Sequence, residues 1–155
     1  MQNLIVVRHG NYELENGDLT DFGKKQVRKL TQAIYENGIR RDVYLASSAS
    51  LRGSQTSEMI LKDLDLRMRV IHRWQELFDE GEYLLLPKAK KIHKKVKKIR
   101  DKADTLILVS HFSVSTGYPT YFMQREFGDI RGIDNVPKGK AVLIDILKKD
   151  YKIIP

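Results

Sequence analysis

At 155 residues and 41% hydrophobic side chains, the chain is long enough to bury one core and too apolar to be disordered. It contains no cysteine, which excludes a disulfide framework, a thiolate nucleophile and a cysteine-built metal centre. The net charge of +8 sits in one segment: residues 88–102, KAKKIHKKVKKIRDK, hold nine of the 28 cations and one of the 20 anions, which leaves 19 of each elsewhere. No apolar run is long enough to span a bilayer, and Leu4–Val7 is too short for a signal peptide, so a cytoplasmic protein with no membrane partner is expected.

In chain order, the first predicted strand is Leu4–Val7, short and β-branched. A helix follows over Asp21–Asn37, with Thr20 as N-cap, an apolar stripe of Phe22, Val27, Leu30, Ala33 and Ile34, and Gly38 at its stop. Val43–Ala46 is the second strand. A helix begins near Ser50 and takes in Leu51, Met59 and Ile60, and Arg69–His72 is the third strand. The next helix starts at Pro87, a first-turn proline, and turns Ala89, Ile92, Val96, Ile99 and Ala103 inward at spacings of three and four. Leu106–Val109 is the fourth strand, and Thr120–Phe127 a fourth helix. Gly128–Gly139 reads as one long surface loop, and Ala141–Ile146 and Tyr151–Ile154 as a hairpin. The alternation predicts an α/β fold: a three-layer sandwich whose mainly parallel sheet carries helices on both faces and an antiparallel C-terminal edge. There is no repeat or linker, so residues 1–155 read as a single domain.

In open parallel sheets, ligands bind beyond the carboxyl ends of the strands. The first strand is followed by Arg8-His9-Gly10, the second by SSASLRGSQTSE (47–58) with Arg52 entering a helix, and the fourth by Ser110-His111-Phe112. Two arginines and two histidines are thus expected at one edge. Guanidinium forks match phosphate oxygens in pairs, and a helix N-terminus near Ser50 adds backbone donors. Gly10 lets the backbone turn and approach the ligand closely. A neutral imidazole can attack phosphorus and carry the phosphoryl group covalently. His72 and His93 read as structural or solvent-facing, the histidine spacing suggests no metal site, and no cofactor is expected.

VVRHG, LTDFGKKQ (19–26), SSASLRGSQTSE and LVSHF, in this order, resemble the histidine phosphatase superfamily, the phosphoglycerate-mutase-like group. The resemblance implies a phosphoglycerate mutase-like fold and makes His9 the phosphohistidine-forming nucleophile. It makes Arg8, Arg52 and His111 the groups that bind the transferred phosphoryl, with Gly10 beside them. It also implies an acidic general acid/base after the third strand, within RWQELFDEGEY (73–83). Glu76 is the first choice there and Glu80 the second. Where mutases of the family carry Ser and then Asn after the RHG triplet, this chain has Tyr12 and Glu15, and it has little room for the insertions that close over sugar phosphates. Both departures favour a phosphatase, and the compact length resembles the small phosphohistidine phosphatases. The expected substrate is a phosphorylated small molecule or a phosphoprotein. Two other readings stay open: a non-catalytic phosphate- or nucleic-acid-binding module, and mutase-type phosphoryl transfer.

The basic segment Lys88–Lys102 reads either as a solvated helix face or as a surface for an acidic partner. No aromatic residues are interleaved to stack on bases, which argues against nucleic acid. Its fifteen residues span about 22 Å, whereas charges at physiological salt are screened over about 8 Å. Only the first few lysines could steer a phosphate to the strand ends.

Overall fold

The structure, a computed structural model, describes residues 1–39, 42–65 and 71–155. Its elements are β1 (Asn3–Arg8), α1 (Asp21–Glu36), β2 (Val43–Ser47), α2 (Leu51–Asp63), β3 (Ile71–Arg73), a 3-10 turn (Gln75–Leu77), α3 (Leu86–Ile99), β4 (Thr105–Ser110), α4 (Phe112–Phe127), β5 (Ala141–Asp145) and β6 (Asp150–Ile154). One six-stranded sheet has the order β3-β2-β4-β1-β5-β6. β1 to β4 are parallel, while β5 runs antiparallel to both β1 and β6.

Side-chain alternation along the strands makes two cores, one per face. Leu4 and Val6 of β1 and Leu106 and Leu108 of β4 face Ile92, Val96 and Ile99 of α3 and Val114, Tyr118 and Phe122 of α4. Ile5, Val7, Ile107 and Val109 face Val27, Leu30 and Ile34 of α1 and Ile60 and Leu61 of α2. Every residue of β4 is buried, as suits a central strand covered on both sides. The helix starts follow local chemistry: Thr20 Oγ1 accepts the Gly23 N–H (2.9 Å), Ser50 Oγ accepts the Gly53 N–H (3.1 Å), and Pro87 lies in the first turn of α3. Among the described residues no helix is long and apolar enough to cross a membrane.

The architecture is the one expected, with local corrections. α4 begins at Phe112, a full two turns before Thr120, and runs through Gly117 and Pro119. In an exposed helix those two residues cost about 1 and 3 kcal/mol. Here the same stretch buries Val114, Tyr118, Phe122 and Met123, each contributing about 1.5–3 kcal/mol, so burial wins. Phe22 is not in the buried stripe of α1 but is 61% exposed. Of the expected strand Arg69–His72, residues 69 and 70 lie outside the described residues, and β3 starts at Ile71. Ile146 belongs to the turn of the hairpin and not to β5. The segment Gly128–Gly139 has no regular structure, yet Ile133 and Val136 insert into the core under α4. His93 is buried against Tyr118 and Glu126, and His72 stacks on Tyr44 with ring centroids 4.0 Å apart.

Candidate active site

Three neighbouring strands, β2, β4 and β1, end level at one edge of the sheet. The parallel register sets Arg8 beside Ser110 and Ser47 beside Val109. Pairing continues one residue past the strands: the His9 N–H donates to Ser110 O (3.1 Å) and the Ser48 N–H to Val109 O (2.9 Å). His9, Ser48 and His111 therefore lie side by side, and all three are buried.

Arg52, in the first turn of α2, reaches across them. Its Nε donates to His9 Nε2 at 3.2 Å, and its Nη2 lies 3.3 Å from His111 Nδ1. A guanidinium only donates, so both ring nitrogens accept, and the tautomers follow. His9 keeps its proton on Nδ1, given to the Gly10 carbonyl at 2.8 Å. His111 keeps its proton on Nε2, 3.2 Å from Ser48 Oγ. Ser48 Oγ is in turn 3.0 Å from Ser50 Oγ, the N-cap of α2. One chain of hydroxyls thus starts the helix that carries Arg52 and fixes the state of His111.

Burial pushes the His9 imidazole down to about 3 from 6.5. The Gly10 carbonyl opposes this, and His111, Arg52 and Arg8 add to it. His111 falls to about 4, first through burial and then through the Arg52 charge. Both rings are neutral at pH 7, and His9 Nε2 holds its lone pair among cations.

Arg8 stacks its guanidinium over the Phe112 ring (4.7 Å) and donates from Nη1 to the Val136 carbonyl (2.9 Å). Its Nε is buried without a hydrogen-bond partner. Gly10 has a packing reason for lacking a side chain: a Cβ there would lie 2.7 Å from Gly23 O at the start of α1. Its N–H faces Thr56 Oγ1 at 3.4 Å. The structure therefore brings together Arg8, His9, Gly10, Arg52 and His111.

The two candidate acids separate. Glu76, in the 3-10 turn, is held by Lys95 of α3 at 2.6 Å. Burial would raise its carboxyl, but the Lys95 hydrogen bond and charge outweigh that and hold it below the usual range. Glu80 instead pairs with Arg52 Nη2, next to the imidazoles.

Two contributors escaped the sequence reading of the site's cations. The Tyr12 ring contacts both the Arg52 guanidinium (4.2 Å) and the Lys138 ammonium (4.7 Å), with its centroid 5.2 Å from that of His9. Burial, then Arg8 and Arg52, lowers the Lys138 pKa. Lys138 sits in the turn before β5. There Gly139, at φ +71°, donates its N–H to the carbonyls of Arg8 (3.1 Å) and His9 (3.0 Å). The available signal was indirect: antiparallel pairing sets Ala141 opposite Val7, which delivers the preceding turn to Arg8-His9. Of Arg8, Arg52 and Lys138, only Arg52 is in an ion pair among the described residues, with Glu80, so the cluster has cationic donors to spare for an anion. Among the described residues, no group of three or more His, Asp or Glu side chains could hold a metal ion.

Residues 4–94 match the family described as the histidine phosphatase superfamily, branch 1. Among curated proteins, the chain is 40% identical over 70 residues to the mitochondrial serine/threonine-protein phosphatase Pgam5 of Drosophila simulans, covering 41% of this chain and 24% of that protein. The Drosophila melanogaster Pgam5 is 39% identical over the same share. The chain thus spans about a quarter of the length of these relatives. Solved structures extend the likeness to nearly all of the fold. The protein histidine phosphatase SixA with tungstate superposes with a TM-score of 0.70 at 16% identity, over 97% of this chain and 93% of that one. A putative alpha-ribazole-5'-P phosphatase from Escherichia coli gives 0.67 at 16% identity, over 99% and 95%. A mycobacterial glucosyl-3-phosphoglycerate phosphatase with VO3 gives 0.70 at 11% identity, over 99% and 97%.

Proposed function

The chain belongs to the histidine phosphatase superfamily, and we propose that it is a cofactor-independent phosphatase that hydrolyses a phosphate ester or phosphoprotein through His9. One observation carries the reading: His9 Nε2, its lone pair fixed by the Nδ1–H bond to Gly10, lies within hydrogen-bond distance of Arg52. Arg52 also touches His111, and the charges of Arg8 and Lys138 bear on the same cluster.

In the first step Nε2 forms a bond to phosphorus while the ester P–O bond breaks. The ring gains positive charge, which the Gly10 carbonyl stabilises at Nδ1. Arg8 and Arg52 hold the equatorial oxygens, and His111 joins them once the bound anion's charge favours protonation of its Nδ1, so most of the acceleration comes from position and fixed charge. Glu80, released from Arg52 as the phosphate binds, takes up a proton from solvent and hands it to the leaving oxygen; its place beside the imidazoles suits that role, whereas Glu76 is occupied by Lys95. In the second step Glu80 takes a proton from water, the new O–P bond forms, and the P–N bond breaks to release inorganic phosphate and restore the ring. If the substrate is itself a phosphohistidine, the imidazole leaving group needs less protonation and Glu80 matters less.

The test is turnover of an aryl phosphate together with acid-quench trapping of enzyme-bound phosphate. The expected label is acid-labile and base-stable, and it disappears in His9→Ala. Wild type and His9→Ala equally inactive across several esters and phosphohistidine peptides would make the protein a binding module. Transfer between positions of a phosphoglycerate without release of phosphate would make it a mutase.

A further inference from the structure

The positive charge of α3 is distributed unevenly around the helix. On the side toward the 3-10 turn and the loop after it, Lys88 pairs with Asp79 (2.8 Å) and Lys95 with Glu76 (2.6 Å). At the far end Arg100 pairs with Glu126 (3.0 Å). The side toward α4 differs. A groove of about 620 Å³ between the two helices is lined by Leu86, Lys90, Lys94, Lys97, Tyr121 and Arg125, among others. Lys97 lies 3.7 Å from Glu126, but Lys90, Lys94 and Arg125 have no carboxylate partner among the described residues. Lys90 and Lys94 are one helical turn apart, and like charges at that spacing destabilise a helix. Interspersed charges would serve solubility without that repulsion. Nothing within the described chain relieves it, and a row of carboxylates laid in the groove does.

The groove begins where the segment from the active site ends. Glu80 touches Arg52, the Asp79 carbonyl accepts from Ser113 Oγ (3.2 Å), and the chain then passes Tyr83 and Leu85, 80% and 69% exposed, to reach Leu86. Leu86 is itself exposed at the groove mouth. The helical rise puts Lys94 about 12 Å beyond Leu86, the reach of about four extended residues.

We propose that this groove is a docking site for an acidic stretch of a protein substrate whose phosphorylated residue occupies the His9 site. The identity of the ligand as a substrate rests on the phosphatase reading; the docking of an acidic peptide does not. A peptide fits better than nucleic acid. Leu86 and Tyr121 offer apolar contact between the cations, and a single half-buried tyrosine is a poor platform for successive bases.

The test compares wild type with the triple variant Lys90→Glu, Lys94→Glu, Arg125→Glu, none of which lies in the catalytic cluster. Fluorescence anisotropy follows a labelled glutamate-rich peptide and its glutamine counterpart. Binding of the acidic peptide alone is expected, weakening with added salt and by at least about tenfold in the variant, as three exposed ion pairs allow. For phosphohistidine peptides with either tail, the acidic tail is expected to lower KM about tenfold at unchanged kcat, in wild type only. Aryl phosphate turnover should stay within twofold. Thermal melts, with the triple glutamine variant alongside, control for folding. Equal acidic-peptide binding by wild type and a folded variant overturns the proposal, as does tighter binding of duplex DNA of matched charge. Peptide binding that behaves as expected in a protein inactive on every phosphate leaves the docking site standing and removes the phosphatase reading instead.

Discussion

Two neutral imidazoles packed among arginines should make the folded protein sensitive to mild acid. Burial holds His9 at about 3 and His111 at about 4, against 6.5 in the unfolded chain. Because both folded values are depressed, the unfolded state takes up protons first as pH falls through 6.5, and stability is lost from there downward. At pH 5 each ring forfeits about 2 kcal/mol, so the pair forfeits about 4 kcal/mol relative to neutrality. With an unfolding entropy of about 0.33 kcal/mol/K for a chain of this size, the melting temperature should drop by about 12 °C between pH 7.5 and pH 5. Burial also lowers the His93 pKa, against the pull of Glu126, and so adds to the drop. The carboxyls of Glu76, Asp79 and Glu126 are all held below their ordinary values and enter only at lower pH. The assay is differential scanning calorimetry at fixed ionic strength on wild type and His111→Gln. The variant should lose about 6 °C less over the same interval, and saturating phosphate should shrink the loss in wild type by pairing with the charged rings. A melting temperature flat from pH 7.5 to pH 5, or an identical drop in the folded His111→Gln protein, would refute the claim that the two rings are buried neutral.

Replacing Arg52 with lysine keeps a charge but removes the fork that spans His9 Nε2 and His111 Nδ1, so kcat should fall about 10²-fold, with rapid-quench measurement locating the loss in phosphohistidine formation. Lys138→Met should weaken competitive inhibition by vanadate or inorganic phosphate about tenfold, the worth of one hydrogen bond to a charged group; an unchanged Ki would show that this ammonium never meets the anion. Gly10→Ala must fit a methyl 2.7 Å from a backbone oxygen of α1 and should cost about 1–3 kcal/mol in urea unfolding, a cost that a change below about 0.5 kcal/mol would contradict.

The layers of the fold were readable because each element buries a periodic face. Leu4–Val7 and Leu106–Val109 alternate between the two cores, and Ala89, Ile92, Val96 and Ile99 of α3 are buried at the spacings seen in the sequence. α4 was half missed because Gly117 and Pro119 are local breakers, and only tertiary burial of Val114 and Tyr118 overrides them. Phe22 misled in the opposite sense, being apolar but one position away from the face that α1 buries. At the candidate site, the convergence of Arg8, His9, Arg52 and His111 followed from the alternation of strands and helices and the rule that parallel strands end at one edge, and the adjacency of β2, β4 and β1 completes it. Which acid accompanies them did not follow, since Glu76 and Glu80 are separated by an irregular segment whose path depends on Lys88 and Lys95 of the next helix. Lys138 was hidden for a related reason. It is brought in by an antiparallel strand, against the direction of the strands from which the edge was read.

The contact between Glu80 and Arg52 has a consequence for the resting protein. An incoming tetrahedral ion meets a guanidinium whose Nη2 already has a companion, and to use that donor it must displace the companion. Ambient orthophosphate, abundant and chemically idle, therefore competes against an internal occupant held at effectively fixed concentration. In the proposed reaction, return of this side chain to Arg52 as product departs would make vacating the cavity and resetting it for another cycle a single exchange.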